Sequence, residues 1–170
     1  LEPGKLVCLL RSRAADHIYR SESNDNGETW SVPVPTPLRN NNASISAIKL
    51  QSGALAIIYN DVSFNEDGSL TVWPDQRCPV AMAISEDGGK TWPWRRIVEH
   101  GEGFIGPWND VNNRRYEYPV MMQSKDGKIH AAYAWGRRVR IKYVCVDEAW
   151  IRGEKVCKGA EDNPEMPCNR

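Results

Sequence analysis

Short apolar runs alternate with clusters of Gly, Pro, Asn, Asp and Ser from one end of the chain to the other. The runs last about five to nine residues and are rich in Ile, Val, Leu, Tyr and Trp. That length and composition, bounded by turn-formers, is the signature of strands. The pattern predicts strands over residues 5–12, 17–22 and 29–33, then 44–50, 54–60, 79–85 and 91–98, and last 117–123, 128–135 and 139–147. The middle four form an up-and-down sheet, with three strands before it and three after it. The connection 61–77 is long for a loop with no structure of its own, and such loops tend to carry function.

Two motifs repeat within this framework. Ser23-Asn24-Asp25-Asn26-Gly27-Glu28-Thr29-Trp30 and Ser85-Glu86-Asp87-Gly88-Gly89-Lys90-Thr91-Trp92 both read S-x-D-x-G-x-T-W, 62 residues apart. Gly53-Ala54-Leu55-Ala56-Ile57-Ile58-Tyr59 and Gly127-Lys128-Ile129-His130-Ala131-Ala132-Tyr133 both read G-x-[LI]-x-x-x-Y, each after a polar turn. Two kinds of hairpin therefore alternate. Four-stranded antiparallel sheets recurring at this period point to an all-β fold, a β-propeller with blades of about 60 residues. The period fits about 2.7 times into 170 residues, whereas propellers close with roughly 4–8 blades. An open arc leaves raw sheet edges, so residues 1–151 are expected to be part of a ring completed by the same longer chain or by partner chains. Residues 152–170 read as a Cys-containing tail.

Composition narrows the function. Hydrophobic residues make up 41% and charged residues 26%, which excludes a disordered or collagenous chain. Lys+Arg and Asp+Glu both number 22, and that balance argues against a nucleic-acid partner, which calls for a basic excess. No apolar run approaches a membrane span. The chain opens on Leu1 rather than Met, so a processed product or a fragment is expected. Seven Trp and six Tyr against two Phe suit a protein that displays amphipathic rings, as sugar-binding surfaces do.

Five cysteines include no C-x-x-C pair, which removes zinc-ribbon and thioredoxin-like readings. Cys157 and Cys168 flank a polar, turn-rich step; a disulfide there staples a tail with little core and favours an oxidising, secreted or lumenal setting. An odd count leaves one thiol free or paired with another chain. The sequon Asn42-Ala43-Ser44 agrees with secretion. Cys8, inside Val7-Cys8-Leu9-Leu10, reads as a small buried hydrophobe. The three His (His17, His100, His130) stand singly without ligand spacing, so neither a metal nor a cofactor is expected.

The S-x-D-x-G-x-T-W motif is the Asp-box, or bacterial neuraminidase repeat, and the chain resembles the sialidase superfamily. The likeness extends through Asn40-Asn41-Asn42-Ala43-Ser44, Arg77-Cys78-Pro79-Val80, Tyr116-Glu117-Tyr118-Pro119, Lys125-Asp126-Gly127-Lys128-Ile129-His130, Tyr133-Ala134-Trp135 and Arg140-Ile141-Lys142. It covers roughly residues 6 to 151 and implies a six-bladed propeller, of which this chain is about half. It also implies that the boxes are structural. Ser23, Asp25, Gly27, Thr29 and Trp30, and likewise Ser85, Asp87, Gly89, Thr91 and Trp92, tie a turn, because Asp side chains bond nearby backbone N–H groups and Gly permits positive φ.

The repeat places strands 44–50 and 117–123 innermost in successive blades, so Asn40–Ser44 and Glu117-Tyr118 lie at one channel mouth. The resemblance implies a Tyr nucleophile activated by a Glu, an Asp acid/base and three Arg that clamp a substrate carboxylate. Arg suits that clamp because its planar fork matches a carboxylate, and sialidases depart from the two-carboxylate scheme of most glycosidases. Glu117 matches the activating Glu. Tyr118 is the adjoining candidate nucleophile, although strand alternation sends it to the opposite face, toward the blade, and the resemblance implies that the catalytic Tyr lies in a later blade, past residue 170. Asp61, at a strand end, is the candidate acid/base. Arg13 (with Arg11 on the same face), Asn42, Arg77 and Arg137 (beside Arg138) are the candidate substrate contacts. The chain departs from the family where Tyr133-Ala134-Trp135 stands in place of a clamp Arg. The expected function is a sialidase-like hydrolase acting on a terminal sialic acid or similar acidic sugar of a glycan. The alternative is a non-catalytic propeller that binds glycans or serves an assembly.

Overall fold

The computed structural model describes residues 2–64, 76–100, 115–136 and 138–153. Among these residues, ten strands form three antiparallel sheets. β1 (Leu6–Arg11), β2 (His17–Ser23) and β3 (Val34–Arg39) make the first; β4 (Ser46–Lys49), β5 (Leu55–Asn60), β6 (Val80–Ser85) and β7 (Trp94–Glu99) the second. β8 (Glu117–Gln123), β9 (Ile129–Trp135) and β10 (Arg140–Val146) make the third.

β5 and β6 read as near-continuous apolar runs because the central sheet is covered on both faces. Their alternate residues serve two cores. Ala56, Ile58, Val80, Met82 and Ile84 pack with Met121, Ile129, Tyr133 and Val144 of the third sheet. Ile57, Tyr59, Ala81 and Ala83 pack with Ile18 and Leu38 of the first. β8 alternates instead: Glu117, Pro119 and Met121 are buried, while Tyr118, Val120 and Met122 are exposed. It is an inner strand with one face against the blade.

Each Asp-box closes the turn between the last two strands of its sheet. Ser85 Oγ donates to Asp87 Oδ1 at 2.8 Å and accepts from Gly89 N at 2.8 Å, while Thr91 N donates to Asp87 Oδ1 at 2.9 Å. The first box repeats the pattern, with Gly27 N to Ser23 Oγ at 2.8 Å and Thr29 N to Asp25 Oδ1 at 2.9 Å. Gly27 and Gly89 sit at φ 93° and 84°, where a side chain would strain the backbone. These turns correct one expected strand. Residues 29–33 do not pair as a strand; Trp30 Nε1 bonds back to Gly27 O at 3.0 Å and holds the turn, and β3 begins only after Pro33. For the same reason β7 begins after Pro93 rather than at residue 91.

The pattern of the chain did not predict α1 (Glu148–Ile151). Asp147 caps it, its Oδ1 accepting from Trp150 N at 2.8 Å. Asp147 follows Asp87 by 60 residues, with Cys145 where the boxes have Ser and Trp150 two positions early. It is a degenerate third box. Its Trp150 ring lies 4.5 Å under the Arg96 guanidinium, and Arg152 covers Trp94 at 4.1 Å while pairing with Glu86 at 2.9 Å. The turn thus clasps the third sheet to the outer strand of the second. Asp147→Ala is expected to lower unfolding stability by about 1 kcal/mol, read from urea denaturation; an unmoved midpoint would show that the cap contributes nothing.

Among the described residues, Cys8, Cys78 and Cys145 form no disulfide. The expected Cys157–Cys168 pairing lies outside the described residues. Cys8 is half-buried rather than fully enclosed.

Candidate functional site at the channel mouth

Because consecutive strands reverse direction, the ends of β1, β3, β5, β7 and β9 gather at one end of the sheets. The starts of β2, β4, β6, β8 and β10 meet them there. The Asp-boxes lie at the other end, where Gln51 N also bonds Gln123 Oε1 at 2.7 Å. At the mouth, Asn40 N donates to Asp16 O at 3.0 Å, and Tyr116 N to Arg77 O at 3.2 Å. Fully buried Asn60 stitches two approaches together, its Nδ2 donating to Arg77 O at 2.8 Å and Tyr116 O at 3.1 Å. These bonds set the segments leading into β6 and β8 side by side.

Glu117 begins β8 at this end. Its side chain is only 6% exposed, yet three arginines surround it. Arg138 Nε and Nη2 grip the two carboxylate oxygens at 2.6 and 3.1 Å, and Arg115 Nη2 reaches Oε1 at 3.2 Å. The Arg138 hydrogen bond holds the Glu117 carboxyl below the usual range against the opposing effect of burial, and the charges of Arg115, Arg138 and Arg77 add to it. Glu117 is therefore an anion at neutral pH. Tyr118 has φ 54°, and the β8–β9 register shifts between Glu117 and Val120. This bulge turns the Tyr118 ring outward, 54% exposed, beneath the Arg138 guanidinium at 5.0 Å. Arg138 Nη2 also donates to the Tyr118 hydroxyl at 3.0 Å. One guanidinium joins a buried carboxylate to an exposed phenol.

Residues 1–131 match the family described as "BNR repeat-like domain". The chain belongs to this family. No curated protein matches it. Among solved structures it is similar to the NanB sialidase from Streptococcus pneumoniae, with TM-score 0.60 and 15% identity over 85% of this chain and 22% of that one. The intramolecular trans-sialidase from Ruminococcus gnavus gives TM-score 0.61 and 22% identity over 88% of this chain and 31% of that one. CoXyl43, a GH43 β-xylosidase/α-arabinofuranosidase from a compost microbial metagenome, gives 0.57 and 16% over 87% of this chain and 51% of that one. At such identities the likeness shows the fold, a sialidase-like β-propeller. The BNR chain spans about a quarter to a third of the two sialidases' length, and its 3-, 4- and 3-stranded sheets are part of such a ring.

The other candidate residues of this BNR propeller divide by location. Arg77 is buried, its Nη1 bonded to Gln76 O at 2.8 Å, and its charge reaches Glu117. Asn42 is buried with φ 63°, and its carbonyl accepts from Arg11 Nη1 at 3.3 Å. That burial leaves no room for a glycan, so the sequon lends no support to secretion. Arg13 is exposed on the β1–β2 turn, while Arg11 folds toward Asn42. Arg137 lies outside the described residues. Tyr118 is not packed into the blade: β8 alternates, but Glu117 lies on its buried face and Tyr118 on its exposed one, within reach of the arginine that holds Glu117. Asp61 is not a solvated loop carboxylate. Its side chain is 2% exposed and paired with Arg95 at 3.0 Å and Arg39 at 3.5 Å, on the outer strands of two sheets. Among the described residues it shares no ion-pair partner with Glu117.

Arg115 and Arg138 were not singled out from the sequence as partners of Glu117. Arg115 had a signal: two residues before Glu117 in extended chain, it shares that face. Arg138 had none, because a bulge and a turn with φ 69° at Arg138 bring it there. Asp61→Asn is expected to cost about 3 kcal/mol, since it leaves two arginines without their buried counter-charge. Guanidinium denaturation reads this, and a loss of activity at unchanged stability would argue instead for a chemical role.

Proposed function

We propose that this mouth binds the terminal sugar of a glycan and cleaves it as a sialidase-like hydrolase, with a carboxylate-bearing sugar as substrate. The observation that carries the reading is the Glu117–Arg138–Tyr118 constellation, in which a buried anion, a planar cation and an exposed phenol share hydrogen bonds. Glu117 acts as the base. It takes the Tyr118 proton as the phenol oxygen bonds to the anomeric carbon and the glycosidic C–O bond breaks; the departing oxygen takes a proton from an acid at the mouth or from water. Water then splits the tyrosyl–sugar bond, its oxygen bonding to the anomeric carbon and its proton restoring the acid used in the first step, while Glu117 returns the proton to the Tyr118 oxygen. Arg138 steadies the charge that develops on the phenol oxygen, and a nucleophile that stays neutral until it attacks avoids the repulsion a carboxylate would meet beside a negative sugar. Asp61, tied to Arg39 and Arg95, takes no part in this scheme in that pairing; Arg13, Asn42, Arg77 and Arg137 are the proposed contacts to the sugar.

The sialidase and the trans-sialidase among the similar structures support a sialic acid, and the xylosidase shows that the same fold serves other sugars. Fluorogenic α-sialoside, β-xyloside and α-arabinofuranoside substrates, tested on the chain and on any longer polypeptide that contains it, decide the substrate. Release from the sialoside alone supports the reading, and release from a neutral sugar alone overturns it. A second reading, a glycan-binding propeller without turnover, is favoured by the structural pairing of Asp61; it predicts saturable binding of free sialic acid with no hydrolysis. A secreted or lumenal location is part of the proposal. It predicts that Cys157 and Cys168 resist thiol alkylation before reduction.

A further inference from the structure

We propose that Asp16 and Asn40, facing each other at the mouth end of the first sheet, are ligands of a hard cation, Ca²⁺, that ties the β1–β2 turn to the end of β3. Among the described residues at this end, the carboxylates of Asp16, Asp61, Glu99 and Glu117 are buried. All but Asp16 have cations of the protein's own. Arg39 and Arg95 hold Asp61, Lys142 holds Glu99, and Arg115 and Arg138 hold Glu117. Asp16 has no Lys or Arg partner among the described residues; only His17 comes near, its Nδ1 4.0 Å from Oδ2. Burial raises the Asp16 carboxyl, but hydrogen bonds, first that from the Tyr19 hydroxyl at 2.7 Å, outweigh it and lower the group. Asp16 is therefore a buried anion at neutral pH, and a buried charge calls for a counter-ion.

A second observation points to the same place. Asn40 N donates to Asp16 O at 3.0 Å, one position beyond the His17–Arg39 pair, so the two residues stand opposite each other with their side chains on one face. Asn40 follows Leu38 by two and shares its face, over the core between the first two sheets. Asn40 is 0% exposed, yet neither its Oδ1 nor its Nδ2 has a partner, and Asp16 Oδ1 has none either. Facing carboxylate and amide oxygens that lack donors suit a cation. Among the described residues no three of His, Cys, Asp and Glu converge, which disfavours zinc. One carboxylate with amide oxygens, completed by water, is a calcium donor set, and so low a ligand charge puts the affinity at the weak end, about 10⁻⁴–10⁻³ M. The turn carries Arg13, so the cation also steadies a proposed sugar contact. The inference stands on Asp16 and Asn40, and it holds whether or not the mouth is catalytic.

The test titrates Tb³⁺, a luminescent stand-in for Ca²⁺, into the EDTA-treated and desalted chain. Tyr19, bonded to Asp16, is expected to sensitise the luminescence, and Ca²⁺ to quench it by displacement. In a separate measurement, about 10 mM Ca²⁺ raises the thermal unfolding midpoint by about 2–4 °C relative to NaCl of equal ionic strength. Asp16→Asn loses both signals, while its midpoint in EDTA is no lower than that of the wild type, because an uncompensated buried charge has been removed. Asn40→Asp tightens Ca²⁺ binding at least about tenfold, since ligand charge sets the affinity. Asp126→Asn, on the exposed β8–β9 turn, changes neither signal. A midpoint unmoved by Ca²⁺, or moved equally by NaCl, overturns the proposal. So does Tb³⁺ luminescence that survives Asp16→Asn, or an Asn40→Asp variant that binds Ca²⁺ no more tightly than the wild type.

Discussion

Glu117→Gln is expected to leave the fold standing and to lower turnover by about 10²–10⁴-fold, the range that a positioned base contributes. The side chain keeps its size, and its oxygen still accepts from Arg138, so the cost to stability is about 1–3 kcal/mol. Glu117→Ala is harsher: it strips the shared anion from Arg115 and Arg138 and is expected to cost about 3 kcal/mol. Tyr118→Phe keeps the ring under Arg138 and removes the hydroxyl, and on the proposed mechanism it loses turnover as fully as Glu117→Gln. Hydrolysis that survives either conservative variant removes that residue from the chemistry. The pH dependence has a definite sign. The Glu117 carboxyl is lowered in the folded protein, chiefly by Arg138, so its contribution to stability is fully present above its unfolded pKa of about 4.3. That contribution is lost as pH falls through the lower folded value. The mouth is therefore expected to loosen in acid, and on the proposed mechanism turnover is expected to persist through neutral pH.

Trp92→Ala is expected to destabilise the protein by about 3–5 kcal/mol, and Trp30→Ala by less than about 1 kcal/mol. The two tryptophans hold the same position in the same motif. Trp92 is 7% exposed and packs in the core shared by the first two sheets, whereas Trp30 is 45% exposed. The difference comes from a neighbour. Arg20 of β2 lies across the second box, its Nε donating to Gly88 O at 2.7 Å and its Cδ 3.6 Å from where a Gly89 side chain would begin. Equal losses in paired thermal and urea denaturation would mean that the box turn itself, and not its cover, carries the energy. Burial raises the Asp87 carboxyl, but hydrogen bonds from Thr91, Ser85 and Lys90 outweigh it and lower the group to about 2. Its share of stability therefore holds above about pH 4 and drains away toward pH 2.

Element order was readable in the chain because each strand is announced by its own turn-formers. Gly53 and Gly127 mark turns before apolar runs, and Pro33 and Pro93 mark where pairing starts, although the sequence pattern put one strand wholly ahead of Val34, at 29–33, and began the other at residue 91. The third box went unread because Cys145 replaces Ser and Trp150 arrives two positions early, yet the spacing from Asp87 to Asp147 was there to be seen. The site was half legible. Glu117 and Tyr118 follow from the repeat, since equivalent positions of successive inner strands fall at one mouth. Arg138 and Arg115 as the partners of Glu117, and the capture of Asp61 by Arg39 and Arg95, were not.

The sequence by itself determined the repeat, the antiparallel sheets and the Asp-box turns, because those depend on contacts spanning a few residues: Ser23 to Gly27, Asp25 to Thr29, Ser85 to Gly89. The tertiary structure alone decided which tryptophan is covered, which carboxylate is pinned as a strut and which arginine bridges Glu117 to Tyr118. Those outcomes depend on side chains from different strands meeting in low-dielectric surroundings. There, burial and the count of charged neighbours fix the chemistry of each group, and no local motif encodes them.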